Sequence, residues 1–174
     1  MKRAVYAGSF DPPTNGHVWM IEQGKWIFDE LVVAVGVNPD KKYMFTIEER
    51  ITMLKDITKR YDNVVVKSFE NQFLINYARY INADFILRGV RTTADFEYEK
   101  AMRYINADLD KRFLTVPLMP PRELVEISSS VVKGLIGPEG WEYIVKKYVP
   151  DIVYRKLREK SGNAWFIHEV EYFF

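Results

Sequence analysis

The sequence predicts an α/β chain built on a mainly parallel five-stranded sheet, because short β-branched apolar runs alternate along it with longer segments of helical period. Polar loops containing Gly, Pro, Asn and Asp follow several of these runs, as expected at the carboxyl edge of such a sheet. The 174 residues are enough for one core of ordinary domain size and too few for two comfortable ones.

Ala4 to Gly8 reads as the first strand, and Gly8 to Asn15, with Asp, two Pro and Thr, must be a loop. His17 to Phe28 reads as a helix whose Met20, Ile21, Gly24, Ile27 and Phe28 fall on one face. Leu31 to Val37 is almost wholly apolar and suits a buried parallel strand. After the polar loop Asn38 to Tyr43, Thr46 and Glu49 form a capping-box pattern for a helix striped with Ile47, Ile51, Leu54 and Ile57 that ends near Arg60. Val64 to Val66 then reads as a strand, Phe73 to Ile81 as a helix, Phe85 to Leu87 as a strand, Ala94 to Ala107 as a polar helix and Phe113 to Leu118 as the fifth strand. Ser128 caps a helix through Leu135, where Gly134, Gly137 and Pro138 end it or turn it toward Trp141 to Lys147, and Pro150 opens a final helix to about Lys160. The repeated βα rhythm predicts a Rossmann-like, doubly wound fold with a helical C-terminal region. Residues 1–160 are expected to form a single domain, and 161–174 an aromatic extension that either packs or stays mobile.

Lys and Arg total 25 against 24 Asp and Glu, a net charge of +1, so the basic excess expected of a general nucleic-acid binder is absent. No cysteine occurs, which removes disulfides, thiolate metal sites and cysteine nucleophiles together. No apolar run approaches the ~18 residues of a membrane span, and the basic, then apolar start meets Asp11 and Pro12 before a signal-sized stretch develops, so a cytoplasmic location is expected.

Four segments carry candidate chemistry. The loop GSFDPPTNGH, Gly8 to His17, joins a strand to a helix, so its amides and the helix start suit a phosphate, although neither the Walker pattern nor GxGxxG is present. His17 there suits a donor to a phosphoryl oxygen, a packing role or an exposed first-turn position. Thr14 and Ser9 suit phosphate donation or, equally, capping and turn closure. After the second strand come Asp40, Lys41 and Lys42, either solvated or, with Lys41 the better candidate, reaching developing charge. In LRGVRTTADFEYE, Leu87 to Glu99, Arg88 and Arg91 around Gly89 suit phosphate oxygens, or else ion pairs with Asp95, Glu97 or Glu99. EISSSVVK, Glu126 to Lys133, sets three serines before a helix; capping accounts for Ser128 and leaves Ser129 and Ser130 for an anion. No metal-ligand spacing occurs, His17 and His168 being the only histidines.

Together these segments resemble the nucleotidyltransferase superfamily of the (H/T)xGH and ISSTx(R/K) motifs, with Thr14 to His17 matching the first and Ile127 to Lys133 the second. Within it the chain is most similar to the bacterial phosphopantetheine adenylyltransferase family, through NPDKKYMFTIEER from Asn38 and the more specific RGVRTTADFEYE from Arg88. Phe69 to Leu74 and Pro121 to Glu126 depart from the common forms of their segments.

The resemblance implies transfer of the adenylyl group of ATP to 4′-phosphopantetheine, giving dephospho-coenzyme A and pyrophosphate; a relative using another phosphorylated acceptor, such as nicotinamide mononucleotide, is the alternative. It implies Thr14 and His17 at the phosphate under attack, with Lys41 steadying the acceptor phosphate. It puts Arg88 on that acceptor phosphate, and Gly89, Arg91, Ser128, Ser129 and Ser130 around the ATP phosphates. Ser9 and Phe10 would bind through the first loop, Tyr98 and Glu99 would face the nucleotide, and Phe73 and Leu74 would line the acceptor arm. Mg²⁺ would be held through the ATP phosphates and water, with no protein metal ligands, and the assembly would be a homohexamer. Because the attacking phosphate oxygen is already anionic, catalysis would rest on alignment and charge stabilisation.

Overall fold

The computed structural model describes residues 1–37 and 41–171, with side chains through residue 162. In chain order, strands β1 (Arg3–Gly8), β2 (Glu30–Val37), β3 (Val64–Glu70), β4 (Phe85–Gly89) and β5 (Leu114–Leu118) alternate with helices α1 (Asn15–Ile27), α2 (Ile47–Thr58), α3 (Leu74–Tyr80) and α4 (Thr93–Leu109). The short helices α5 (Arg122–Val125), α6 (Ser129–Leu135) and α7 (Trp141–Val145) and the long α8 (Asp151–Glu171) complete the chain. The strands pair in the order β3-β2-β1-β4-β5, all parallel, as expected of a doubly wound sheet.

The period of two along β1 divides the core. Ala4 and Tyr6 face one side with Leu31, Val33 and Leu87, where Met20 and Ile21 of α1 and Leu54 of α2 pack. Val5 and Ala7 face the other side with Ala34 and Ile86, covered by Ile75, Tyr77 and Ala78 of α3. A third core joins α2 to the C-terminal helices through Met53, Val132, Trp141, Val145, Val153 and Leu157. Gly24 lets α1 approach the sheet: a Cβ there would stand 2.8 Å from Leu31 and 2.9 Å from Leu87, both fully buried.

Several elements differ from the sequence reading, β4 running to Gly89, α4 to Leu109 and α7 only to Val145. α1 starts at Asn15, not His17, because Thr14 takes the N-cap position. β3 runs on to Glu70 beyond Val66, since its outer half pairs with β2 as far as Val37↔Glu70 while Lys67, Ser68 and Glu70 point to solvent. An edge strand of this kind lacks the apolar run that marks a buried one. The single turn α5 has no sequence signature. The last helix does not end near Lys160 but continues through Gly162 to Glu171, glycine costing only about 1 kcal/mol inside a helix. Whether the aromatic side chains beyond 162 pack lies outside the described residues.

Gly24→Val is expected to destabilise the fold by about 1–3 kcal/mol, because the added carbons have no space between two packed leucines; thermal unfolding should show a lowered Tm.

Candidate active site

The loop between β1 and α1 is fixed from below. Phe10 takes a left-handed backbone (φ 47°) that turns its ring inward, where it is 1% exposed. It packs edge-on against Tyr6 at 5.4 Å and His17 at 5.1 Å between ring centroids. Asp11, also buried, accepts the amides of Met44 and Phe45 at 2.9 Å each and the Lys133 ammonium at 3.2 Å. Arg50 enters from α2, buried, and donates to the Ser9 carbonyl at 2.7 Å while stacking on Tyr43 at 4.1 Å. Ser129 Oγ donates to the Pro12 carbonyl at 2.8 Å, tying the start of α6 to the same loop.

His17 stands in the first turn of α1, and its protonation follows from one hydrogen bond. The Thr14 backbone N–H, which can only donate, is 3.0 Å from His17 Nδ1, so Nδ1 is the acceptor. The Thr14 hydroxyl lies 2.9 Å from the same nitrogen. The ring proton therefore sits on Nε2, leaving it as the ring's donor to the cavity that His17 lines. Burial, aided by the Arg91 charge, pushes the imidazole pKa down to about 4, so the ring is neutral at pH 7.

Two cavities meet at the carboxyl ends of β1 and β4. The first, about 290 Å³, is bounded by Thr14 and His17 from the first loop, Arg88, Gly89 and Arg91 from the end of β4 onward, and Ser128, Ser129 and Ser130 at the start of α6. The second, about 400 Å³, is largely apolar and lies between Gly8 and Gly36 on one side, Phe73 and Leu74 on another, and Tyr98, Met102, Asn106 and Leu109 of α4. Ala7, Arg88 and Glu99 border both. Arg88 Nε donates to Glu99 Oε2 at 2.7 Å and Nη2 to Glu99 Oε1, while Nη1 reaches the Ala7 carbonyl at 3.3 Å. Arg91 donates through its amide and Nε, each at 3.0 Å, to Asp95, and burial, which alone would raise that carboxyl, is outweighed so that it titrates below its usual range. A chamber rich in hydroxyls and guanidinium groups thus adjoins an apolar one across Ala7, Arg88 and Glu99.

The cytidylyltransferase-like family profile matches residues 5–135. The phosphopantetheine adenylyltransferase of Chromobacterium violaceum is 57% identical over 157 residues, covering 90% of this chain and 96% of that protein. That of Neisseria meningitidis serogroup C is 58% identical over 156 residues, covering 90% and 92%. This chain belongs to the phosphopantetheine adenylyltransferase family. The nicotinic acid mononucleotide adenylyltransferase of Plasmodium falciparum, solved with NaAD, shares the fold with a TM-score of 0.64 at 18% identity, over 88% of this chain and 94% of that one.

The geometry gathers most of the sequence-predicted residues of this family member and separates a few. Thr14, His17, Arg88, Gly89, Arg91, Glu99 and the three serines line the first cavity; Phe73, Leu74 and Tyr98 line the second, with Tyr98 on the apolar side instead of in the chamber of the serines. Lys41 is exposed after β2 and lines neither, and Asp40 lies outside the described residues. Ser9 also lines neither, its carbonyl being taken by Arg50, and the Phe10 ring is a buried support for His17. Arg88 pairs with Glu99 and Arg91 with Asp95, and both arginines also line the first cavity. Sequence reading missed Tyr6, Met102, Asn106, Asp11's ties and Arg50. The spacing Tyr98, Met102, Ile105, Leu109 was a helical stripe that marked the cavity face of α4.

In the free protein the His17 ring signals, assigned by their loss in His17→Asn, are expected to stay unshifted from pH 8 to about 5.5 in an NMR titration, because the folded pKa is about 4. The unfolded chain takes up this proton near 6.5, so folding stability should fall as pH drops from about 6.5 toward 4, and His17→Asn should lose less over that window.

Proposed function

We propose that this protein transfers the adenylyl group of ATP to 4′-phosphopantetheine, giving dephospho-coenzyme A and pyrophosphate. The observation that carries the reading is the pair of cavities joined at Arg88: a cationic chamber suited to a triphosphate beside an apolar channel suited to the long arm of the acceptor. An oxygen of the acceptor phosphate attacks the α phosphorus in line; a new P–O bond forms and the α–β bridging bond breaks, with its electrons leaving on pyrophosphate.

His17 donates its Nε2 proton in a hydrogen bond to an α-phosphate oxygen, and its neutrality keeps that donor available without transferring a proton. Thr14 orients the ring. Arg88 takes the acceptor phosphate, exchanging part of its bond to Glu99, and Lys41 reaches in from its exposed loop to steady the charge. Arg91, Gly89, Ser128, Ser129 and Ser130 hold the β and γ phosphates, the amides carrying the load where Ser129 Oγ is committed to Pro12. Ser9 and Phe10 contribute through backbone, Glu99 and Tyr98 border the nucleotide and the arm, and Phe73 and Leu74 contact the arm. Among the described residues no group of three His, Asp or Glu gathers to hold a cation, and Glu99 is bound by Arg88. As the family resemblance implies, a magnesium ion would be held through triphosphate oxygens and water.

Residues 1–160 are read as one nucleotidyltransferase domain and 161–174 as its extension. A homo-oligomer is supported by the exposed apolar residues Phe96 and Tyr104 on α4 with Leu114 on β5, and the family resemblance suggests a hexamer. No described helix is long and apolar enough to cross a membrane, and a cytoplasmic setting fits a cysteine-free chain.

Pyrophosphate release should appear with ATP, Mg²⁺ and 4′-phosphopantetheine, with dephospho-coenzyme A as product, and be absent without acceptor; release only with nicotinamide mononucleotide would overturn the acceptor. His17→Asn should lower kcat about 10²- to 10³-fold, as for a lost oxyanion donor. Arg88→Met should raise KM for the acceptor about 10- to 100-fold, the worth of a charged hydrogen bond, with a smaller effect on KM for ATP.

A further inference from the structure

The buried carboxylate of Asp11 joins three segments that are far apart in sequence. It sits in the loop before His17, holds the amides of Met44 and Phe45 shortly after Lys41, and binds Lys133 on α6. Lys133 lies one turn beyond Ser129 and Ser130, which line the first cavity, yet is not itself among the residues bounding it. Its ammonium is directed inward, to a side chain only 2% exposed, while its own side chain is 34% exposed. Together with the Ser129 to Pro12 hydrogen bond, this pins α6 to the first loop at two points, one ionic and one neutral.

We infer that Lys133 is a positioning residue for adenylyl transfer, fixing the serine end of α6 relative to His17 through Asp11 and not gripping the triphosphate itself. The inference rests on the reaction proposed above. In-line transfer needs His17 at the α phosphate and the serines at the β and γ phosphates in one fixed spacing, and that spacing is a distance between α1 and α6. Loss of the ionic tie leaves the arginines and backbone donors in place, so ATP still binds. Alignment at the moment of transfer suffers, and a shift of about 1 Å is enough to cost a hundredfold in rate. It also leaves Asp11 with its amide donors alone, a buried carboxylate short of its counter-charge.

The test compares Lys133→Met, Lys133→Gln and Lys133→Arg with Asp11→Asn and with the Asp11→Asn, Lys133→Met double variant, using ATP, Mg²⁺ and 4′-phosphopantetheine. Lys133→Met and Lys133→Gln are expected to lower kcat about 10- to 100-fold with KM for ATP changed less than about threefold, Lys133→Arg to recover most of the loss, and the double variant to be no slower than Asp11→Asn alone, as for two groups acting as a unit. A rise in KM for ATP that persists undiminished in the Asp11→Asn background would mean direct phosphate contact and overturn the inference. Unchanged kcat with a lowered Tm would also overturn it. Amide hydrogen exchange at Ser129 to Val132 reads the tie without turnover: it should quicken in Lys133→Gln and in Asp11→Asn, and unaltered exchange in both would overturn the inference. Silence of the unaltered protein with this acceptor would count against the reaction, while the exchange result would still decide whether Lys133 holds α6.

Discussion

Strands β1 and β4 lie side by side in parallel, yet the chain leaves them in opposite directions, β1 leading to β2 on one flank and β4 to β5 on the other. Divergence of this kind opens a crevice at the carboxyl ends of the two strands that no neighbouring crossover fills. Most of the candidate site residues border that crevice. The loop before α1 enters from β1 with Thr14 and His17, Arg88 and Arg91 enter at and just after the end of β4, and the serines of α6 close the chamber from the C-terminal region.

In and just behind the crevice, cations already have carboxylate partners. Arg88 is held by Glu99, Arg91 by Asp95 and Lys133 by Asp11, so the site is strongly polar in a chain whose net charge is only +1. Pairing of this sort keeps long side chains in place before a ligand arrives, and it limits the cost of burying unpaired charge. The planar fork of Arg88 is occupied by Glu99 of α4, so an anion taking this arginine would have to compete with that carboxylate. His17 follows a different rule: burial and the neighbouring Arg91 keep it neutral, and the Thr14 amide decides which nitrogen bears the proton. The ring is thereby fixed in both charge and orientation.

Much of this is legible in the residues themselves. The alternation of β-branched runs with helical stripes gave the five parallel strands, because both periods are properties of the backbone and survive in any tertiary setting. The Thr46 and Glu49 capping box and the Ser128 cap read correctly because each is closed within one turn of chain. The outer half of β3 and the turn of α5 did not, since neither has an apolar period and both are held by what lies beside them. The site split along the same line. His17, Arg88, Arg91 and the serines announced themselves as polar groups at the ends of strands and starts of helices.

The layered α/β architecture, the family and the polar groups that line the first cavity are readable from the chain alone, since each is written in residues within about one turn or one strand of each other. Only the tertiary structure decided who holds whom: that Asp11 meets Lys133 across most of the domain, that Arg50 is buried beneath Ser9, that the Phe10 ring supports His17 from inside the core, and that Tyr98 faces the apolar cavity. These are contacts between segments distant along the chain. Their partners are chosen by the winding of the sheet and the packing of helices upon it, and no local pattern of residues encodes that choice.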